Sequence, residues 1–167
     1  VLDKTGTLTT GEMTVRSIAT VPGVAEHELL RVAASVEQGS EHLIARAIVA
    51  AAKQQITDLD PVRDFIAVPG RGASGTVAGD TVHIGSLAYL DEQGVSTGAA
   101  RVYLTAADAT ESTVFVSQAG RLIGRFGLAD TIKPNARAAI QALQQQGLTT
   151  VLLTGDSRTA AEEIADT

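Results

Sequence analysis

The sequence predicts an α/β domain that is split along the chain, with an α+β domain inserted between its two parts. Three observations lead to this fold class. The apolar pair at residues 1–2 leads into a polar, glycine-containing turn, and a second apolar run, at residues 148–153, ends in a similar turn. Between these two runs, helical patterns are followed by short runs separated by glycines, which are typical of antiparallel strands. We therefore place residues 1–12 and 124–167 in the first domain and residues 13–123 in the insert.

The insert begins with a strand and two helices. Residues 13–21 have strand-like content and stop at a Pro-Gly turn. Apolar residues at helical spacing predict a helix that begins near Ala25 and ends near Gly39. Ser40 is of the residue type that caps helices, so we expect it to be the N-cap of a second helix.

Short strands make up most of the rest of the insert. The turn Ala78-Gly79-Asp80 is short enough to join two of them as an antiparallel hairpin. A helix is predicted from Ser86 to Gln93. The predicted strands are Phe65 to Val68, Ala73 to Val77, Val82 to Ile84, Val102 to Leu104, Thr113 to Ser117 and Leu122 to Phe126.

The end of the chain returns to an α/β pattern. Lys133-Pro134 is predicted to open a helix that Gly147 closes. Leu148 to Leu153 is almost continuously apolar, as expected for a strand in the centre of a parallel sheet that is covered on both faces. Another helix is predicted to begin near Arg158.

Composition excludes several classes of function. The net charge is -6 and no basic run is present, so nucleic acid is not an expected partner. The chain has no Cys, which excludes disulfides and thiolate metal sites. No apolar stretch is long enough for a transmembrane helix or a signal peptide. The chain begins two residues before Asp3, which is a candidate nucleophile, and it stops within a predicted helix. We therefore expect it to be a piece of a longer protein.

Two polar turns carry the chemistry of the split domain. The first is Asp3-Lys4-Thr5-Gly6-Thr7-Leu8-Thr9, in which a carboxylate at the end of a strand can attack phosphorus while hydroxyls and backbone N–H groups hold the phosphate oxygens. The second is Thr154-Gly155-Asp156, which follows the apolar run and can present a hydroxyl, N–H groups and a carboxylate to the same phosphoryl group. Together they predict phosphoryl transfer to a carboxylate.

These turns resemble two motifs of the P-type ATPases, membrane pumps in which an Asp becomes an aspartyl-phosphate in each transport cycle. The α/β part also resembles the wider haloacid dehalogenase superfamily. Its phosphatases usually carry a second Asp two residues after the nucleophile, where this chain has Thr5. A Thr cannot serve as the general acid and base of hydrolysis, so the resemblance implies a long-lived phosphoenzyme. Asp130 to Pro134 resembles the segment by which the chain of these pumps re-enters the phosphorylation domain.

The insert resembles the nucleotide-binding domain of the heavy-metal (type IB) P-type ATPases. The matching residues are Glu37, the segment Ser40-Glu41-His42, and the Gly70-Arg71-Gly72 turn. The resemblance implies that Glu37 accepts a hydrogen bond from the adenine amino group, that His42 contacts the adenine ring, and that the glycines allow the nucleotide to approach the backbone. Leu43 replaces the Pro that is usual in this family, which we expect to loosen the local geometry without removing an ATP contact.

The resemblance implies a Rossmann-like, haloacid dehalogenase-like phosphorylation domain with a nucleotide-binding insert, in which ATP phosphorylates Asp3. Lys4, Thr5 and the turn Thr154-Gly155-Asp156 would hold the phosphoryl group, and Asp3 and Thr5 would contribute to a Mg²⁺ site. The parent protein would be a multi-pass cell-membrane pump, with this region in the cytoplasm and its transmembrane and actuator domains as partners. The transported metal would bind elsewhere, and copper is the first guess. The family's second essential Lys and its Gly-Asp-Gly-x-Asn-Asp segment would follow residue 167, so we expect inefficient self-phosphorylation.

Two other functions remain open from the residues alone. One is a soluble phosphohydrolase of the haloacid dehalogenase superfamily with an α+β cap, against which Thr5 argues. The other is a stand-alone nucleotide-binding or regulatory module.

Overall fold

The computed structural model describes residues 2–98 and 111–153, with the side chains of all of these except residues 3–5, 152 and 153. The strands within these ranges are β1 (Leu2–Asp3), β2 (Thr9–Thr20), β3 (Val62–Val68), β4 (Gly72–Val77), β5 (Asp80–Gly85), β6 (Ser112–Gln118), β7 (Arg121–Ile132) and β8 (Leu152–Leu153). The helices are α1 (Glu26–Glu37), α2 (Leu43–Lys53), α3 (Leu87–Glu92) and α4 (Ala136–Gln145), and a π-helical turn spans Lys4–Leu8.

The described strands form two sheets. β1 and β8 are a parallel pair, whereas the other six form an antiparallel sheet in the order β2-β7-β6-β5-β4-β3. The predicted fold class, an α/β part that is split in sequence and an α+β insert with an antiparallel sheet, is confirmed. The hairpin between β4 and β5 is also confirmed, since Ala78 and Gly79 both have positive φ, as a two-residue hairpin turn requires.

Helices α1 and α2 pack on one face of the large sheet. Leu29, Leu30 and Ile48 of the helices are fully buried against Ile84 and Phe126 of the sheet. Alternation along the strands places the neighbouring residues on the opposite face, where α3 and its surroundings cover a smaller cluster. The buried members of this cluster are Tyr89, Leu90, Val95, Phe115 and Leu122. Because α1 lies on the sheet along its length, its final residue, Glu37, is held over the sheet as well.

Strands β2 and β7 connect the two sheets. They pair from Thr9 opposite Ile132 to Thr20 opposite Gly124. The register shifts twice, once between Thr9 and Met13 and once between Val15 and Ser17. The predicted boundaries at residues 12/13 and 123/124 fall inside these two strands. A continuous two-stranded ribbon therefore carries the chain into the large sheet and back.

The structure corrects the predicted start of α2. Ser40 is not its N-cap: that position belongs to His42, whose Nδ1 accepts a hydrogen bond from the backbone N–H of Ile44 at 3.3 Å. Ser40 instead accepts the backbone N–H of His42 at 3.3 Å. Two polar residues close to the helix start can both accept backbone hydrogen bonds, and the sequence favours Ser only by propensity.

Two predictions for the end of the chain are also modified. Helix α4 begins at Ala136, after Asn135 as its N-cap, rather than at Lys133-Pro134. The apolar run 148–153 is a strand only at its last two described residues, and Val151 is 53% exposed, so it is not buried on both faces. In the described part of the chain β8 pairs only with β1, which leaves the start of this run uncovered.

The strand predicted over 102–104 and the helix near Arg158 fall outside the described residues. None of the described helices is long and apolar enough to cross a membrane.

Candidate functional site

A cavity of about 300 Å³ lies between the end of α1, the start of α2 and the turn from β3 to β4. It brings together five of the residues that the sequence singled out, which are Glu37, Ser40, His42, Gly70 and Gly72. These residues come from two segments that are about 30 positions apart in the sequence, so the fold gathers them.

Most of the remaining wall of the cavity is apolar. Side chains from α2, from the β3–β4 turn and from the large sheet supply it: Ile44, Ala67, Val68, Pro69, Ala73, Ile84 and Val114. Polar groups come from Arg71, Ser86 and Thr113. Glu41, which the sequence also predicted as a contact, is exposed and does not line the cavity. An apolar slot with a few polar groups is the usual form of a site for a small ring system.

Glu37 is the buried acid of this cavity. It is the last residue of α1, and only 6% of it is exposed. Burial raises the pKa of its carboxyl group from 4.5 to about 7, and no hydrogen bond to a described residue opposes this effect. A carboxylate that is desolvated without a partner favours any ligand that donates a hydrogen bond to it.

His42 is oriented by hydrogen bonds at the start of α2. Because its Nδ1 accepts the N–H of Ile44, the proton of the neutral ring must lie on Nε2, which leaves an N–H donor for a ligand. Leu43 begins α2, is 50% exposed and does not line the cavity. The departure from the usual Pro at this position therefore lies outside the cavity wall.

The glycines make part of the wall from bare backbone. Gly70 has a φ of +71°, a left-handed conformation that glycine adopts without strain. Gly72 pairs across the β4–β5 hairpin with Gly85, and a Cβ on Gly72 would lie 2.8 Å from the Tyr89 ring and 2.9 Å from the Cα of Gly85. A side chain at Gly72 would therefore push the two strands off Tyr89 and deform the cavity.

Sequence reasoning missed Gly85, although a signal was available. Counting outward from the two-residue turn at Ala78-Gly79 places Gly85 opposite Gly72. A glycine inside a strand often marks a close approach of backbone, and two facing glycines strengthen that indication.

The loop that follows Asp3 is fixed by the segment at the end of β7. The backbone N–H of Gly6 donates to Thr9 Oγ1 at 3.2 Å, and Thr9 Oγ1 donates to Asp130 Oδ2 at 2.5 Å. Lys133 Nζ donates to the carbonyl of Gly6 at 2.6 Å. The segment Asp130 to Pro134 therefore contacts the candidate phosphorylation loop directly. This is the segment that the sequence predicts to lead the chain back into the first domain.

The parallel pair places the end of β1 beside the end of β8. Leu2 pairs with Leu152 and Asp3 with Leu153, so the backbone of the candidate nucleophile lies beside the residue that precedes Thr154. The side chains of Asp3, Lys4 and Thr5, and all of Thr154, Gly155 and Asp156, lie outside what the structure describes. Among the side chains that it does describe, no cluster of three or more His, Cys, Asp or Glu could hold a metal ion.

A family model for haloacid dehalogenase-like hydrolases matches residues 1–167. The chain belongs to this family. Its sequence is 41% identical over 165 residues to a copper-exporting P-type ATPase of Mycobacterium tuberculosis (strain ATCC 25618 / H37Rv), a match that covers 99% of this chain and 21% of that protein. The chain thus spans about a fifth of the length of the curated relatives that it matches.

Solved structures agree with this relationship. A crystal structure of a zinc-transporting PIB-type ATPase in the E2.Pi state is 34% identical, with a TM-score of 0.81 over 98% of this chain and 26% of that one. The catalytic domain of the CPx-ATPase CopB-B, studied for its conformational changes upon nucleotide binding, is 26% identical, with a TM-score of 0.70 over 98% of this chain and 56% of that one. The predicted resemblance to heavy-metal P-type ATPases is confirmed.

Proposed function

We propose that this chain is the ATP-binding and aspartyl-phosphorylated region of a heavy-metal-transporting P-type ATPase. The cavity around Glu37 carries the proposal, because it combines an unpartnered buried acid, an oriented imidazole and a bare glycine wall. The same chain holds a candidate aspartyl loop that is fixed by Thr9 and Asp130.

The residues of the cavity fit an adenine ring. Ile44, Ile84 and Val114 offer apolar surface to its faces. The Glu37 carboxylate accepts a hydrogen bond from the exocyclic amino group, which offsets the cost of keeping that carboxylate buried. His42 contributes a stacking surface or the N–H of Nε2, and the turn at Gly70 to Gly72 allows the rest of the nucleotide to lie close to the backbone.

The proposed phosphoryl transfer takes place at Asp3. A carboxylate oxygen of Asp3 forms a bond to the γ-phosphorus of ATP, the bond from that phosphorus to the β–γ bridging oxygen breaks, and ADP leaves with the electron pair. Lys4 and the turn Thr154-Gly155-Asp156 hold the transferred group. The oxygen atoms of Asp3 and Thr5 suit Mg²⁺, which supplies positive charge to the phosphates when it is bound.

Thr5 determines the fate of the aspartyl-phosphate in this proposal. Its hydroxyl cannot activate water as a carboxylate would, so the phosphoenzyme persists until another domain of the parent protein assists hydrolysis. This separates the proposal from a soluble phosphohydrolase of the same family, which needs rapid turnover.

The parent protein is proposed to be a multi-pass membrane pump, with this region on the cytoplasmic side and with transmembrane and actuator domains as its partners. Copper is the proposed cargo, supported by a relative at 41% identity that is described as copper-exporting. Zinc is the alternative cargo, because a relative at 34% identity is described as zinc-transporting.

Calorimetric titration with ATP and GTP at pH 8 tests the nucleotide site. At this pH Glu37 is mostly ionised in the free chain, because its pKa is about 7. Guanine presents a carbonyl oxygen where adenine presents its amino group, so two acceptors would face each other. We expect one ATP per chain and at least about tenfold weaker binding of GTP. Equal affinities for the two nucleotides would contradict the assigned role of Glu37.

A further inference from the structure

Arg71 is the one Lys or Arg among the described residues that line the cavity. It lies between Gly70 and Gly72, and its backbone is fixed on both sides. Its N–H donates to the carbonyl of Val68 at 3.0 Å, and its own carbonyl accepts the N–H of Ser86 at 3.3 Å. The side chain therefore starts from a fixed point on the cavity wall.

In this structure the guanidinium points to α3. It forms an ion pair with Glu92, the last residue of that helix. The two side chains are 45% and 53% exposed, so the pair lies in water rather than in the core. An exposed ion pair contributes little to stability and exchanges readily for a stronger partner.

We infer that Arg71 binds the phosphate groups of the nucleotide and that Glu92 holds its guanidinium until those phosphates displace it. This inference rests on the proposed function, since it assigns the phosphate contact of the same cavity. The planar guanidinium can donate two parallel hydrogen bonds to one phosphate. A triphosphate also carries several negative charges against the single charge of Glu92, so the exchange favours the nucleotide.

Glu92 thus competes with the phosphates for Arg71 and does not support the cavity. If the ion pair served only to tie α3 to the β3–β4 turn, removing either partner would disturb the cavity for any ligand. If Glu92 competes with phosphate, removing it strengthens the binding of phosphorylated ligands alone. Adenosine and ATP share the base and the ribose, so the comparison between them isolates the phosphate contribution.

Calorimetric titration of the 167-residue chain with adenosine and with ATP provides the test. The variants are Arg71→Gln and Glu92→Gln, and Arg63→Gln, an exposed Arg on β3 outside the cavity, is the matched control. We expect R71Q to bind ATP about tenfold more weakly and adenosine unchanged. We expect E92Q to bind ATP about two- to fivefold more tightly, again with adenosine unchanged, and R63Q to behave as wild type.

Three outcomes would overturn the inference. R71Q could weaken adenosine and ATP equally, which would mean that the ion pair only shapes the cavity. E92Q could leave ATP affinity unchanged or reduce it, which would mean that Glu92 does not compete. A wild-type chain that binds neither ligand would overturn the proposed function as well, whereas the first two outcomes leave that function intact. Unfolding curves of each variant establish that the fold is retained.

Discussion

Replacing Asp3 with Asn is expected to abolish phosphorylation by ATP, and metal transport with it, in the full-length protein that contains this chain. An amide has no anionic oxygen to attack phosphorus, so we expect phosphoenzyme formation to fall by at least about a thousandfold. Incubation with γ-labelled ATP, followed by acid precipitation, measures the covalent label directly. Uptake of the metal into membrane vesicles measures transport.

Asp58→Asn is a suitable control for this experiment, because Asp58 is an exposed acid that lies outside the cavity. It should label and transport as the wild-type protein does. The alternative of a regulatory nucleotide-binding module predicts that Asp3→Asn leaves the function of the parent protein intact. Normal transport by the Asp3 variant would therefore favour that module and contradict the proposed pump.

Replacing Glu37 with Gln is expected to stabilise the fold and weaken ATP binding at the same time. Burial raises the pKa of Glu37 from 4.5 to about 7, so the folded chain holds a proton that the unfolded chain has already lost in this range. The stability that comes from the protonated group is fully present below pH 4.5 and is lost as the pH rises to about 7. This shift in pKa corresponds to a loss of about 3 kcal/mol in the free energy of unfolding at high pH. A neutral Gln avoids that loss.

Urea unfolding at pH 5 and pH 8 measures the effect on stability. The stability of E37Q relative to wild type should increase by roughly 2–3 kcal/mol between these two values of pH. ATP affinity of the wild-type chain should rise through pH 7, because the ionised carboxylate is the better acceptor. In E37Q the affinity should be about tenfold lower at pH 8 and independent of pH.

Glu41→Gln supplies the matched control for Glu37→Gln. Glu41 is exposed and only four positions away, and it does not line the cavity. Its replacement removes the same charge without removing a buried carboxylate, so neither stability nor ATP affinity should gain a new pH dependence. If the two variants responded alike, the burial of Glu37 would have no functional consequence.

The insert, and most of the residues that the sequence singled out and that line its cavity, could be predicted because they depend on local signals. Helical spacing, the short turn at Ala78-Gly79 and the motif around Glu37 each identify an element or a site residue within a few positions. Burial of Glu37 follows from the same spacing, since the apolar face of α1 extends to its last turn.

Other features depend on contacts that sequence spacing does not reveal. The ion pair between Arg71 and Glu92 forms only when α3 lies against the β3–β4 turn. The choice of His42 over Ser40 as the helix cap depends on where the chain leaves α1, and both residues are chemically suited to the task. The contact between Thr9 and Asp130 joins residues 121 positions apart, which no local pattern predicts.

The proposed function depends on ATP binding in the cavity around Glu37. A titration of the isotope-labelled chain with ATP, followed residue by residue by nuclear magnetic resonance, tests it most directly. The signals of Glu37, His42, Gly70 and Gly72 should shift together and saturate, while that of Gly79, in the distant hairpin turn, should stay in place. If ATP moved other signals and left these four undisturbed, the assigned site would be wrong.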